Sequence, residues 1–278
     1  MIYQEWFKRS VDRLEKAGCD SPAFEIRCIL EDFAGKRHPD GADIPPAVLE
    51  RLEQAVAARE SRRPLQYILG NWDFLRLTLK VGDGVLVPRP DTEVLCETVA
   101  KWLSNNRIAR PRVLDLCAGS GCVGLGIASL YEGTAVTTVE LSDAALPFLR
   151  ENAQNSGLDC TVVQADVLQL PPANVGDGFD VLVANPPYIP TADLDGLMPE
   201  VKQEPSMALD GGKDGLLFYR RIAENWLPLV RKGGFVAFEI GQGQHNDVAA
   251  ILNAKGVRVM PFIPDLGGVL RVVCGEIL

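Results

Sequence analysis

Between Gln4 and Arg62 the apolar positions keep a helical period. In "SPAFEIRCILEDFAG" they fall at 24, 26, 29, 30 and 33, close to the 3.6-residue repeat, and Gly35 closes the run. Ser21 before Pro22 reads as an N-cap with proline in the first turn. "IPPAVLERLEQAVAARES" starts a further helix at its prolines. This stretch predicts a small helical bundle. From Leu65 to Leu86 the pattern changes: "YILGNWDFLRLTLKVGDGVLV" alternates apolar and polar residues around Gly70 and "GDG", which predicts a β-hairpin. "PRPDTEVLCETVAKWLSNN" then returns to helix, with Asp91 or Thr92 as its cap.

Beyond that point strands and helices alternate. The strands are "RVLDLCA", "AVTTVEL", "CTVVQAD", "FDVLVANPP" and "GGFVAFEIG"; helical patterns such as "CVGLGIASLY" and "DGLLFYRRIAENWLPLV" stand between them. The C-terminal "VRVMPFIPDLGGVLRVVCGEI" reads as two strands joined near Gly267 and Gly268. Such alternation predicts an α/β fold: a mostly parallel sheet with helices on both faces, to which the final hairpin adds an antiparallel strand. The expected division is a helical domain over 1–64, a hairpin linker over 65–87 and an α/β domain over 88–278.

Composition narrows the function classes. At 47% apolar and 23% charged, the chain has the make-up of an ordinary globular protein. No apolar run approaches a membrane span, and the charged N-terminus has no signal-peptide core, so a cytoplasmic protein is expected. Seven scattered cysteines and two histidines, with no Cys-x-x-Cys, argue against a disulfide framework and a zinc site, and no metal is expected. The first 80 residues are balanced in charge, so the net −9 falls on the remainder. A protein held on phosphates needs a basic face, and this bulk charge disfavours a nucleic-acid substrate.

"DLCAGSGCVG" follows the first strand of the alternating region. Gly119, Gly121 and Gly124 fit a Gly-x-Gly-x-x-Gly loop, and Glu140 stands about 20 residues on, where an acid can accept ribose hydroxyls. A nicotinamide-dependent dehydrogenase shares this loop. Two further acids redirect the reading. Asp115, within the strand before the loop, suits a cationic amino group rather than a pyrophosphate. Asp166, ending "VVQAD", can accept from the exocyclic amine of an adenine. Each acid could instead cap a helix. Together with the loop they resemble S-adenosylmethionine-dependent methyltransferases, which release S-adenosylhomocysteine.

"NPPY", Asn185 to Tyr188, ends the fourth strand, where ligands of open sheets collect. By itself it could be a proline turn with Tyr188 packed behind it. Beside a methyl donor it suits a planar –NH₂, whose delocalised lone pair is barely nucleophilic. The Asn185 side-chain oxygen and the Pro186 carbonyl, held by proline's fixed φ, can grip both N–H bonds. Tyr188 can meet the sulfonium charge with its ring face. Adenine and glutamine both present such a group, so the tetrapeptide leaves the substrate open.

The motifs "RPLQYILGNWDF", "VPRPDTE", "VLDLCAGSG", "NPPYIP", "EPSMALDGGKDGL", "FEIGQGQ" and "DLGGVLRVV" resemble, in order, those of the release-factor glutamine N5-methyltransferase family. "VPRPDTE" is the most specific; related ribosomal-protein glutamine methyltransferases usually read Pro-Arg-Ser-Pro there, and amino-methyltransferases of nucleic acid share only the tetrapeptide. The resemblance runs from about Arg63 to the C-terminus. It implies a Rossmann-like class I methyltransferase with a mostly parallel seven-stranded sheet. It implies methylation of the glutamine of the Gly-Gly-Gln motif in peptide-chain release factors; a monomer with no nucleic-acid or membrane partner is expected. A non-catalytic binding module on the termination machinery is the contrasting class. Carried over by position, Cys117, Ala118, Gly119, Ser120 and Gly121 form the cofactor loop with Asp115 near it. Glu140 holds ribose, Asp166 and Val167 flank adenine, and Asn185, Pro186, Pro187 and Tyr188 bind the glutamine, with Asn185 also beside the cofactor. Arg89 and Glu93 are expected to brace the pocket between the domains, Glu204 to Leu209 to form a loop near the site, and the helical domain to dock the protein substrate. Two departures stand out. Cys117 and Ala118 replace the family's usual Gly-Thr, and cysteine takes a positive φ less easily than glycine, so a different local turn is expected. Val167 replaces an aromatic that covers adenine in some members.

Overall fold

Prolines open the helices of the N-terminal unit. Pro22 and Pro46 occupy the first turns of α2 (Pro22–Ala34) and α3 (Pro46–Glu60), and Pro64 precedes the short α4 (Leu65–Leu69). With α1 (Tyr3–Lys16) they bury Trp6, Leu14, Ile26, Ile29, Leu52 and Val56 as a bundle. The computed structural model describes residues 1–36 and 41–278, so His38 lies outside the described residues. The chain divides into two compact units, Met1–Asn71 with Met198–Gln203, and Trp72–Leu197 with Glu204–Leu278. Residues 65–69 are thus helix, not the start of a hairpin: Pro64 holds the extended φ and ψ of a helix entry, and Gly70 ends the turn at φ +73°. Ser21 makes no side-chain cap bond.

The segment Met198–Gln203 enters the helical unit through charge. Arg59, 4% exposed, pairs with Glu25 at 2.6 Å and with Glu200 at 2.8 Å. Arg62 grips the same Glu200 with Nε at 2.6 Å and Nη2 at 2.8 Å.

In the second unit β1 (Asn71–Phe74) and β2 (Leu77–Lys80) pair across a two-residue turn. The helix α5 (Pro90–Asn106) begins with Pro90 in its first turn and Arg89 at the cap position. Asp91 and Thr92 therefore lie inside the first turn and are not the cap. The strands β3 (Arg112–Leu116), β4 (Ala135–Glu140), β5 (Cys160–Gln164), β6 (Phe179–Ala184), β7 (Val230–Glu239), β8 (Val257–Val259) and β10 (Leu270–Ile277) form one sheet in the order β5-β4-β3-β6-β7-β10-β8. The two-residue β9 (Ile263–Pro264) pairs with β10. The first five strands of that order are parallel, and β10 runs antiparallel to β7 and β8. The antiparallel strand thus lies within the sheet, with β8 outside it.

Alternate residues of each strand serve opposite faces. Leu114, Leu116, Leu182, Ala184, Val236 and Phe238 pack with Tyr219 and Ile222 of α8 (Leu217–Asn225) and Val248 and Leu252 of α9 (His245–Asn253). Val113, Val181, Val183, Phe235 and Ala237 pack with α5, with α6 (Cys122–Leu130) and with Phe74 and Leu79 of the hairpin. Register aligns the strand ends. Leu116 lies level with Val139 on one side and Ala184 on the other, and Val139 lies level with Val163. Cys117, Glu140, Gln164 and Asn185 therefore leave the sheet at one height, at its carboxyl edge.

Arg59→Met leaves Glu25 without its buried cation, while Glu200 keeps Arg62. Breaking a buried ion pair costs about 3 kcal/mol or more, and we expect a loss of that size in urea unfolding of the full chain. A loss under about 1 kcal/mol, the value of an exposed pair, would show that the cluster is solvated.

Candidate active site

The carboxyl edge holds a cavity of about 370 Å³. Its walls come from the loop after β3 (Cys117 to Ser120), the ends of β4 and β5 (Glu140 to Ser142, Ala165 to Leu168), Asn185 and Pro187 after β6, and the segment Gly84 to Arg89 with Thr92. Pro205, Met207, Ala208, Asp210 and Gly212 close a further side.

The glycine loop keeps its left-handed turn. Cys117 stands at φ +59°, Gly119 at +55° and Gly121 at +83°. The expectation of a different turn at Cys117 is thus corrected: cysteine accepts the left-handed conformation, at a cost of about 1–2 kcal/mol. The turn is held by hydrogen bonds from the Ala118 amide to the Val139 carbonyl at 3.1 Å and from the Gly121 amide to the Ala118 carbonyl at 2.7 Å. A side chain at Gly121 would press on Leu149 at 2.7 Å, whereas above Gly119 nothing lies nearer than Val85 at 3.9 Å. The loop is tight against α7 (Leu146–Ser156) and open toward the cavity.

Two of the three predicted acids face that space. Glu140 accepts from the Gly119 amide at 2.8 Å and the Ser142 amide at 2.7 Å. Asp166 accepts from the Leu168 amide at 2.8 Å. Each oxygen of an ionised carboxylate has room for a second donor, so both can receive N–H or O–H groups from a ligand. Val167 lies beside Asp166 on the wall, and its carbonyl accepts from the Trp226 indole at 2.9 Å.

Asp115 does not reach the cavity. It is fully buried behind the loop, where Oδ2 accepts from the Gly124 amide in the first turn of α6 at 2.8 Å, and Oδ1 has no hydrogen-bond partner among the described residues. Strand alternation turns it to the face of α5 and α6, away from Leu114 and Leu116. Its role as a cofactor residue is corrected to that of a brace for the helix after the loop. Burial pushes its carboxyl up to about 7.

Of "NPPY", Asn185 and Pro187 line the cavity; Pro186 is buried outside the lining. Tyr188 is turned against the core and the Gly241 main chain, and burial pushes its phenol up to about 12. Its carbonyl accepts from Gln244 at 2.9 Å. The ring is therefore a buttress of the turn, not a wall of the cavity. The Asn185 Nδ2 donates to Thr92 Oγ1 at 3.2 Å.

Arg89 pairs with Glu204, whose side chain is 1% exposed and whose second oxygen accepts from the Val87 amide at 3.0 Å. This joins the "VPRP" wall to the start of "EPSMAL". Glu93 instead accepts from the Leu75 amide at 3.1 Å, in the hairpin turn where Leu75 stands at φ +52°. Sequence reasoning missed Thr92 as a wall residue and Glu239 altogether. Glu239 ends β7, is 2% exposed, and is pushed by burial up to about 7. Its signal was present in "FEIGQGQ", as an acid at a strand end level with "NPPY".

A family model described as "Conserved hypothetical protein 95" matches residues 65–223, and one described as "PrmC N-terminal domain" matches residues 5–70. A protein named release factor glutamine methyltransferase from Moorella thermoacetica is 37% identical over 96% of this chain and 96% of its own length. One of the same name from Caulobacter vibrioides is 36% identical over 95% and 92%. Among solved structures, the hMettl16 catalytic domain in complex with MAT2A 3'UTR hairpin 6 aligns over 91% of both chains with a TM-score of 0.60 at 14% identity, a likeness of fold alone.

Asp115 and Glu239 make stability depend on pH. Their folded values lie above the unfolded ones, so their stabilising share is complete below about pH 4 and is lost as pH rises to about 7. Holding either as an anion in the fold costs on the order of 3 kcal/mol. We expect Asp115→Asn to reduce the fall in unfolding free energy between pH 5 and pH 8. An unchanged slope in urea melts across that range would contradict the assignment.

Proposed function

This chain belongs to the release factor glutamine methyltransferase family, and from that premise we propose how its residues methylate the side-chain amide nitrogen of the release-factor Gly-Gly-Gln glutamine. The cavity carries the reading: it joins a glycine cradle and the Glu140 and Asp166 carboxylates to the Asn185 amide. When bound, S-adenosylmethionine supplies an electrophilic methyl group and leaves as S-adenosylhomocysteine. The donor set fits it. Glu140 accepts the ribose hydroxyls, Asp166 accepts from the adenine amine, Val167 covers the base, and Cys117 to Gly121 bend beneath the methionyl part.

Asn185 holds the acceptor. Its Oδ1 takes one N–H of the glutamine amide, and a main-chain carbonyl of the same turn, read from the sequence as that of Pro186 although its ring lies outside the lining, takes the other. Holding both hydrogens at these acceptors favours pyramidal nitrogen, which takes its lone pair out of conjugation with the carbonyl and directs it at the methyl group. The acceptors strengthen as nitrogen becomes tetrahedral, so they favour the transition state over the bound substrate. No base is needed beforehand, because a methylated, protonated amide is strongly acidic and releases its proton afterwards. What remains is positioning for in-line displacement.

Among the described residues the cavity wall comes from the second unit, and we assign the helical unit to docking of the protein substrate. Among the described residues no helix is long and apolar enough to cross a membrane, and no cluster of His, Cys, Asp and Glu could hold a metal ion. The net charge of −9 supports a protein partner, the release factor, and not a nucleic acid. The reading as a ribosomal-protein or nucleic-acid methyltransferase is not favoured by the relatives.

The test uses labelled S-adenosylmethionine with a release factor, intact or with the motif glutamine replaced. Label should enter only the intact protein; entry into both, or into neither, would sink the assignment. Asn185→Ala should lower kcat on the order of 100-fold or more, as loss of a transition-state hydrogen bond does, while cofactor affinity holds. Glu140→Ala should do the reverse, weakening cofactor binding in calorimetry. A matching loss of cofactor affinity in Asn185→Ala would make that residue part of the cofactor pocket.

A further inference from the structure

The first turn of α5 and the end of β7 meet behind Asn185. Thr92 is 1% exposed, and its Oγ1 lies 3.2 Å from Asn185 Nδ2. Glu239 follows Phe238, which lies level with Ala184, so it stands beside Asn185 at the ends of β7 and β6; it is 2% exposed, Thr92 and Asn185 both hold its carboxyl down against burial, and its Oε2 has no hydrogen-bond partner among the described residues. Neither Thr92 nor Glu239 takes part in the methyl transfer itself.

The two ends of an asparagine amide have nearly the same shape, so neighbours decide which end faces the cavity. Thr92 alone cannot decide, because a hydroxyl both donates and accepts. An ionised carboxylate only accepts. With Glu239 ionised, the single Thr92 proton goes to the carboxylate, and Thr92 Oγ1 is left to accept from Asn185 Nδ2. The second Nδ2 hydrogen can then be given to the same carboxylate. Both Asn185 N–H bonds are then engaged behind the wall, and Oδ1 is the end that turns to the cavity. We propose that Thr92 and Glu239 are positioning residues that lock the Asn185 amide with its oxygen toward the acceptor nitrogen. This rests on the reading of Asn185 as the group that grips the glutamine –NH₂.

The lock reverses when Glu239 takes up a proton. The acid then donates to Thr92, Thr92 can donate to Asn185 Oδ1, and the amide shows its own –NH₂ to a substrate that also offers –NH₂. Around the carboxyl, Asp91 on α5 adds to the upward push of burial, while Thr92, Asn185 and Arg271 on β10 oppose it. Tyr188, Tyr219, Cys96 and Cys122 also face it, and burial lifts each of these above its ordinary value, so all stay neutral near pH 7. Asp115 titrates in the same range as Glu239 and needs its own control.

Thr92→Val keeps the shape and removes the hydroxyl. In methylation of the release factor its kcat should fall roughly 10- to 100-fold, the worth of a lost buried hydrogen bond. Its S-adenosylmethionine affinity by calorimetry should match wild type, which also shows that it is folded. Thr92→Ser should recover most of the rate. Wild-type kcat should fall on the acid side of about pH 7, and this limb should vanish in Glu239→Gln and persist in Asp115→Asn. The lock is overturned by full activity of Thr92→Val, by a Thr92→Ser variant that binds cofactor yet is as slow as Thr92→Val, by loss of cofactor binding in Thr92→Val, or by an acid limb that tracks Asp115 instead. If Asn185→Ala itself turns over normally, the underlying reading fails; if it is inactive while Thr92→Val is fully active, only the lock fails.

Discussion

The register of the parallel strands is the constraint on which the site depends. Because Val163, Val139, Leu116 and Ala184 stand level across β5, β4, β3 and β6, the residues just beyond them emerge side by side. A slip of one residue in any strand would send its side chains to the opposite face. It would carry Glu140 or Asn185 into the core and bring an apolar neighbour to the cavity. Burial on both faces makes such a slip costly, since Leu114, Leu116 and Leu182 fill one layer and Val113, Val181 and Val183 the other. Packing far from the reaction thus determines the distances at which it occurs.

Upon that frame the molecule places several acids where they are expensive. Asp115, Glu239 and Glu204 are almost wholly removed from water, and burial raises the carboxyl of each. Glu204 is paired directly with a cation, Arg89, and also accepts from the Val87 amide. It fastens two loops that together wall the cavity. Asp115 holds the first turn of α6 through Gly124, where any side chain would collide with it, at 2.9 Å from its Oδ2. Each acid thus orders a loop or a helix start that apolar packing alone does not orient.

Much of this was legible from periodicity. The α/β alternation, the antiparallel C-terminal strand, the glycine loop and the acids at 140 and 166 can be read from spacing alone, because strand ends and tight turns leave local marks. Asp115 was misread for a reason that spacing cannot show. It belongs to the strand by sequence, but the pleat decides which face it serves, and that face is fixed by pairing with β4 and β6. Tyr188 fails in the same way, since Gly241 and Gln244, over 50 residues on, determine where its ring and carbonyl lie. The residues 65–69 stand at the head of a stretch whose alternation begins only after them, and Pro64 and Gly70 enclose them as one helical turn. In each case a long-range contact or a flanking stop overrides the local pattern.

The arrangement also explains why an acid can serve "NPPY" without sitting in it. A carboxylate on the cavity wall beside Asn185 would accept the substrate N–H bonds itself, but it would also place a full negative charge next to a cationic methyl donor. That charge would stabilise the donor before reaction more than after it, when the sulfonium charge has gone, and so would raise the barrier. Glu239 set behind Thr92 avoids this. It passes on only the direction of hydrogen bonds, to a neutral hydroxyl and a neutral amide. The amide then meets the acceptor with an oxygen that strengthens its hold as nitrogen gains charge, which is when the hold matters. On this view the threonine of "VPRPDTE" and the glutamate of "FEIGQGQ" belong to the chemistry of "NPPY". The three motifs lie far apart in the chain because one comes from a helix start and the others from two neighbouring strand ends.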